Sequence, residues 1–204
     1  MSLHIALLRG VNAAGGRLIT ADDLTRLLTD LGHTEVRMGP KIGDLVVESG
    51  ERTGAELQAQ IETELMARLG LRTDVYVRTA EAWRALVAAN PFPDFAAADP
   101  GWLMTLFCKD TPDKKAMGAL RAAIRGTEQA RAENRQIYAI YPDGVGGSKL
   151  TNSLVEKTLG ARITGRTWTA ALKLSITSCT VRSSSTSTKT IRPAPSLSGL
   201  RRAS

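Results

Sequence analysis

Aromatic residues make up only 4% of this 204-residue chain, and it holds just two cysteines and two histidines. Cys108 and Cys179 are too few for a disulfide framework, and neither forms a metal-ligand spacing with His4 or His33. No apolar run approaches the roughly 20 residues that span a bilayer. The opening "MSLHIALLRG" is interrupted by Arg9 before its apolar run reaches signal-peptide length. A catalytic triad, a carboxylate pair and a metal cluster are all missing as sequence patterns. These absences lead us to expect a cytoplasmic protein with no structural metal, no cofactor and no membrane contact.

Acid is missing from one end of the chain. Residues 175–204 contain Arg182, Lys189, Arg192, Arg201 and Arg202 and no Asp or Glu. Subtracting those five from 27 basic residues leaves 22 against 20 acidic ones, so the body carries +2 of the total +7. The charge that would suggest nucleic acid therefore belongs to the tail. With 14 Ser or Thr among those 30 residues and no periodicity, the tail buries too little apolar area to offset its ordering entropy, and we expect disorder.

What the body does have is periodic. "LHIALLRG" fits a strand buried on both faces. In "TADDLTRLLTDLG", Thr20 and Asp23 form a capping box, and Leu24, Leu27, Leu28 and Leu31 share a helical face. "TEVRM" and "DLVVES" fit strands around a Gly/Pro turn. Thr53 and Glu56 cap a second helix ended by Gly70, and "TDVYVRT" closes the unit as a strand. After a linking helix at "AEAWRALVAAN" and a turn at "PFPD", the order recurs. "WLMTLFCK" is a strand, "TPDKKAMGALRAAIRG" a helix capped by Thr111, and "EQARAE" with "QIYAIYP" a hairpin across "NR". "SKLTNSLVEKTLG" is a helix and "ARITGR" a strand. The fold expected is α+β, two tandem ferredoxin-like βαββαβ sandwiches. The divisions are a first unit over 1–79, a linker over 80–101, a second unit over 102–174 and the tail.

Two glycine-rich loops carry the chemistry. "RGVNAAGGR" contributes Arg9, Gly10, Asn12, Gly15 and Gly16; "PDGVGGSK" contributes Asp143, Gly144, Gly146, Ser148 and Lys149. Both follow strands expected to be central and parallel within their units, beyond whose carboxyl ends α/β sheets bind ligands. Glycines let backbone N–H groups converge on an anion, a following helix N-terminus adds partial positive charge, and Arg9 or Lys149 supplies a full one. Ser148 is placed to cap that helix. Neither loop is a P-loop, since Ser precedes Lys here. The same glycines also suit a tight strand-to-helix turn. Other candidates are plainer: His33 after Gly32 is expected in solvent, Cys108 in the core, and Trp168 in packing.

The order of these segments resembles the bacterial family catalogued as domain of unknown function 1697. "IALLRGVNAAGG", "ANPF", "YPDGVGGSKLTNSLVEKTLG" and "TGRTWTAALKL" are similar to its blocks, which together cover residues 3–174. The resemblance implies a soluble bacterial protein with a tandem ferredoxin-like fold, and it implies no activity. Carried over by position, the motif residues are those of the two loops together with Asn90, Pro91, Phe92, Arg166, Trp168 and Lys173. The family's hairpin block, near YIQSGNVVF, is "GPKIGDLVV" here, with Asp44 in place of Asn. The last family helix would continue past Leu174, where this chain turns Ser/Thr-rich.

The leading expectation is a small anionic or phosphorylated ligand, with Arg166 added to the loop residues. A second is RNA bound by a ferredoxin-like sheet, although Tyr138 and Tyr141, three residues apart, fall on opposite strand faces. A third is an enzyme using Asp143 or Asp44 as base, for which no nucleophile is visible. A partner-binding role would need an exposed apolar face.

Overall fold

In the computed structural model, which describes residues 2–11 and 19–185, each half of the chain forms one βαββαβ unit. The first comprises β1 (Ser2–Leu8), α1 (Ala21–Asp30), β2 (Thr34–Met38), β3 (Asp44–Ser49), α2 (Gly54–Leu69) and β4 (Val75–Thr79). Both expected capping boxes form: Thr20 accepts from the Asp23 amide and Thr53 from the Glu56 amide, and each acid returns a bond to its cap. Gly70 ends α2 with φ +66, the left-handed conformation that glycine adopts without a Cβ penalty.

Two helices, α3 (Ala80–Ala88) and α4 (Pro93–Ala98), lead to the second unit. The α4 turn of helix replaces the simple turn expected at "PFPD", with Pro93 opening it. The second unit is β5 (Leu103–Cys108), α5 (Lys114–Ala123), β6 (Gln129–Glu133), β7 (Gln136–Ile140), α6 (Asn152–Leu159) and β8 (Ile163–Thr167). α5 is capped by Asp113 rather than Thr111, because Pro112 holds the preceding residues extended and the Asp113 carboxylate reaches the Ala116 amide. A last helix, α7 (Trp168–Ser185), runs eleven residues beyond Leu174. Ser/Thr content alone does not stop it, since Ala170, Ala171, Leu174 and Ser178 are buried along its inner side. Residues 186–204 of the expected tail lie outside the described residues.

The two sheets have orders β2-β3-β1-β4 and β6-β7-β5-β8. β1 and β7 are central, as expected, but antiparallel to every neighbour. The expectation of parallel central strands is therefore corrected. A crossover helix makes β1 and β2 parallel, yet β2 is not beside β1; its neighbours β3 and β4 both run back. Because β1 corresponds to β5 in the second unit, and β5 opposes β7, the two glycine loops leave non-equivalent strand ends.

Each sheet packs one face on its own helices. Leu24, Leu28, Leu57 and Ile61 cover the first sheet from α1 and α2. Met117, Leu120 and Val155 cover the second from α5 and α6. The opposite faces meet in a shared core that includes Leu7, Tyr76, Trp83, Phe107, Tyr138, Trp168 and Leu174. Trp83 stacks on Phe107 with ring centroids 5.1 Å apart and donates Nε1–H to the Ala171 carbonyl at 3.0 Å. Helices α3 and α7 thus tie the units together. Among the described residues no helix is long and apolar enough to cross a membrane.

Candidate functional site

Arg9 follows β1 and meets the middle of α6. Its guanidinium forks onto Glu156 at 3.0–3.2 Å and donates to the Ile163 carbonyl at 3.1 Å. Its own carbonyl accepts from the Thr73 hydroxyl. Gly10 follows with φ +61, where a side chain would be strained. Asn12, Gly15 and Gly16 lie outside the described residues.

Arg166, on β8, is more deeply committed. It is 6% exposed and donates Nε–H to Asp44, Nη1–H to the Thr164 hydroxyl and Gly165 carbonyl at 2.9 Å, and Nη2–H to the Leu8 carbonyl at 3.1 Å. Asp44 is fully buried, and its Oδ2 has no hydrogen-bond partner. Burial raises the Asp44 carboxyl above the usual carboxylate range, with Arg166 opposing the shift. The turn before Asp44 presses close: a Cβ on Gly39 would lie 2.6 Å from both Asp44 and Leu174. Asp44 is therefore a strut between units and not a poised base. Arg9 and Arg166 both pair with carboxylates across the inter-unit seam, Arg166 buried and Arg9 with its side chain 37% exposed.

The second loop is built differently. Gly144 has φ +85 and donates its amide to the Tyr141 carbonyl at 2.9 Å, a genuine turn. Tyr141 anchors the loop from below: burial pushes its phenol up to about 12, and it donates to the Leu150 carbonyl at 3.1 Å. Ser148 is not the helix cap. Thr151 caps α6, accepting from the Leu154 amide, while Ser148 donates to Glu128 and accepts from the Leu150 amide at 2.9 Å. Two residues, Leu150 and Thr151, thus separate Lys149 from the start of α6 at Asn152. Asp143 is exposed and accepts from the Thr127 hydroxyl at 2.6 Å.

A cleft of 270 Å³ lies here, lined by Asp143, Gly144, Gly147, Ser148 and Lys149 on one wall and by Arg125–Glu128 on the other. Arg9 and Arg166 are not among its lining residues. Sequence reasoning missed the second wall, although its signal was present. In the β6–β7 hairpin Gln129 pairs with Ile140, so the chain entering β6 must run beside the chain leaving β7. It also missed Trp102, 45% exposed, whose ring would sit 4.0 Å from a Cβ on Gly144. Glu128 Oε2 is buried in the same corner without a hydrogen-bond partner.

The remaining expectations divide. Cys108 is core, 2% exposed, with its thiol pushed up to about 11 by burial. Trp168 packs edge-on against Tyr138. His33 is not in solvent: Gly32, at φ +80, turns the chain so that the imidazole is 3% exposed and meets Gln60 at 3.2 Å. Tyr138 and Tyr141 do fall on opposite faces, one in the shared core and one under α6, both buried. Among the described residues no group of three His, Cys, Asp or Glu side chains could hold a metal.

A family model described as "Protein of unknown function (DUF1697)" matches residues 1–138. The chain is also similar to a solved structure, that of the conserved bacterial protein SP0830 from Streptococcus pneumoniae. That likeness has a TM-score of 0.63 at 16% identity and covers 87% of this chain and 98% of the other. At that identity it is a likeness of fold. No curated relative matches.

Proposed function

We propose, for a chain that belongs to the DUF1697 family, that the Asp143–Lys149 loop binds a small anionic or phosphorylated ligand against Arg125 and Lys149. One observation carries this reading: Gly146 and Gly147 are glycines the fold does not need. Neither has the positive φ of Gly144, and a Cβ on either would meet nothing within 4 Å. Residues without side chains beside open space let a ligand approach the backbone N–H groups closely. Two cations line the same cleft, and its 270 Å³ suits a phosphate with a small organic group. Arg9 and Arg166 take no part.

Thermal unfolding of the full chain against phosphate, pyrophosphate, mononucleotides and dicarboxylates tests the reading. A compound bound only by the native state raises the midpoint, by about 2.7 kcal/mol of stabilisation at a hundredfold excess over Kd. The shift should vanish with Lys149→Ala and with Gly147→Val. A shift that survives both substitutions places the ligand elsewhere, and no shift with any compound leaves the loop a turn.

RNA is the second reading, favoured by one feature: the exposed Trp102 ring flanks the cationic loop. Both sheet faces are covered, so bases would stack there rather than on the sheet. A single-stranded RNA whose affinity falls steeply with salt and is lost in Trp102→Ala would favour it.

A further inference from the structure

The seam between the units holds a second, unassigned concavity. Two hollows of 600 and 170 Å³ adjoin there, sharing Ala82 of α3 and Arg135 at the β6–β7 hairpin tip as lining residues. The smaller is walled by Arg78 and by the apolar Ala85 and Leu86; the larger reaches Lys109 and Asp110 at the end of β5.

Arg78 is the unusual group. It is 4% exposed, and its three hydrogen bonds all go to carbonyl oxygens: Val77 at 2.9 Å, Cys108 at 2.8 Å and Arg135 at 2.9 Å. Its guanidinium also lies 6.0 Å from the Phe107 ring centroid. No carboxylate bonds it among the described residues. The nearby Lys109 is engaged by Glu62 and Asp74 at 2.8 and 3.0 Å, so those acids are spoken for. Burial first, and the like charge of Arg135 second, push Arg78 down to about 10, which leaves it protonated at neutral pH. Buried charges are ordinarily matched by an opposite charge. Here the unmatched charge lines an open hollow, with a second guanidinium beside it. Interfaces between units are also where small-molecule clefts concentrate.

We propose that this seam cleft binds a small organic oxyanion, a carboxylate or a phosphate ester, with Arg78 and Arg135 as its charge partners and Ala82, Ala85 and Leu86 against its carbon skeleton. The site is separate from the glycine loop and does not depend on it.

Isothermal titration of the full chain carrying Lys149→Ala, which silences the loop, tests the proposal with citrate and phenyl phosphate as probes. The two probes separate carboxylate from phosphate ester. Arg78 holds the fold, so the variants fall around it. Arg135→Gln keeps the backbone carbonyl that Arg78 uses and removes the second charge; affinity should fall at least about tenfold, the loss of one charge-assisted contact. Ala85→Glu should supply the missing carboxylate from within, abolishing binding while raising the melting midpoint above that of Ala85→Gln. The glutamine variant puts the same bulk in that wall without the charge, so it should bind at least about tenfold more tightly than the glutamate variant. The proposal is overturned if neither probe binds, if Arg135→Gln binds as tightly as its parent, or if the Glu and Gln variants behave alike.

Discussion

Replacing Asp44 by alanine tests whether the Arg166 pair holds the units together. Asp44 is fully buried and Arg166 is 6% exposed, so neither charge has water to fall back on. Removing one partner of such a pair leaves an uncompensated buried charge, at a cost of about 3–5 kcal/mol. For a chain of this size each kcal/mol lowers the midpoint by roughly 2–4 °C, so the expected drop is about 6–20 °C. The double variant Asp44→Ala, Arg166→Met removes both charges. It should recover part of the loss but not all of it, because the Leu8 carbonyl then loses its donor at about 1–3 kcal/mol. Urea denaturation of the wild type, both single variants and the double variant gives the coupling energy directly. If Asp44→Ala costs less than about 1 kcal/mol, or if the double variant is no more stable than that single one, the pair is not the strut we describe.

Gly144→Ala should cost about 1–2 kcal/mol because its φ is +85, whereas Gly146→Ala and Gly147→Ala should stay within about 0.5 kcal/mol of wild type in urea melts. Burial works to raise the Asp74 carboxyl, but hydrogen bonds from Lys109 and Arg162 outweigh it and hold the group below its ordinary value of 3.8. Its contribution is therefore fully present above pH 4 or so and is lost as pH falls through the lowered value. The stability gap between wild type and Asp74→Asn, followed by denaturation at stepped pH, should narrow in acid; a constant gap would refute the linkage. At pH 8 a thiol raised to about 11 offers roughly two-hundredfold less thiolate than a free one, so peptide mapping after native iodoacetamide treatment should find Cys108 unmodified.

What was legible in the sequence is what short range decides. The Thr20–Asp23 and Thr53–Glu56 boxes span three residues each, and the "NR" hairpin needs only two, with Asn134 at φ +53. Arg9 and Arg166 were illegible for the opposite reason. Their partners, Glu156 and Asp44, lie 147 and 122 positions away, and a motif that contains an arginine does not say which way the guanidinium turns. The cations that line clefts, Arg125 and Arg135, sit just past a helix end and at a hairpin tip, where the sequence pattern gives the backbone and not what the side chain faces. Only hairpin register and unit docking bring them into a wall. The same holds for His33, whose burial depends on α2 arriving beside it.

The two units should unfold as one. Had they merely been strung together, each would have its own sealed core, but Leu3, Ile5, Leu7, Val46 and Tyr76 of the first sheet are buried in a cluster shared with Phe107, Tyr138 and Ile140 of the second. Separation would expose the first five at about 2 kcal/mol each, roughly 10 kcal/mol together. That matches the entire stability of a typical domain, about 5–15 kcal/mol, so neither unit has enough in reserve to survive alone. The seam's ion pairs, Arg9–Glu156, Lys109–Glu62, Lys109–Asp74, Arg162–Asp74 and Arg166–Asp44, would be broken in the same step. Calorimetry should show a single transition whose calorimetric and van't Hoff enthalpies agree. Two resolved transitions, or a fragment of residues 1–79 with native-like dispersed amide resonances, would mean that the shared core is packing the units can forgo.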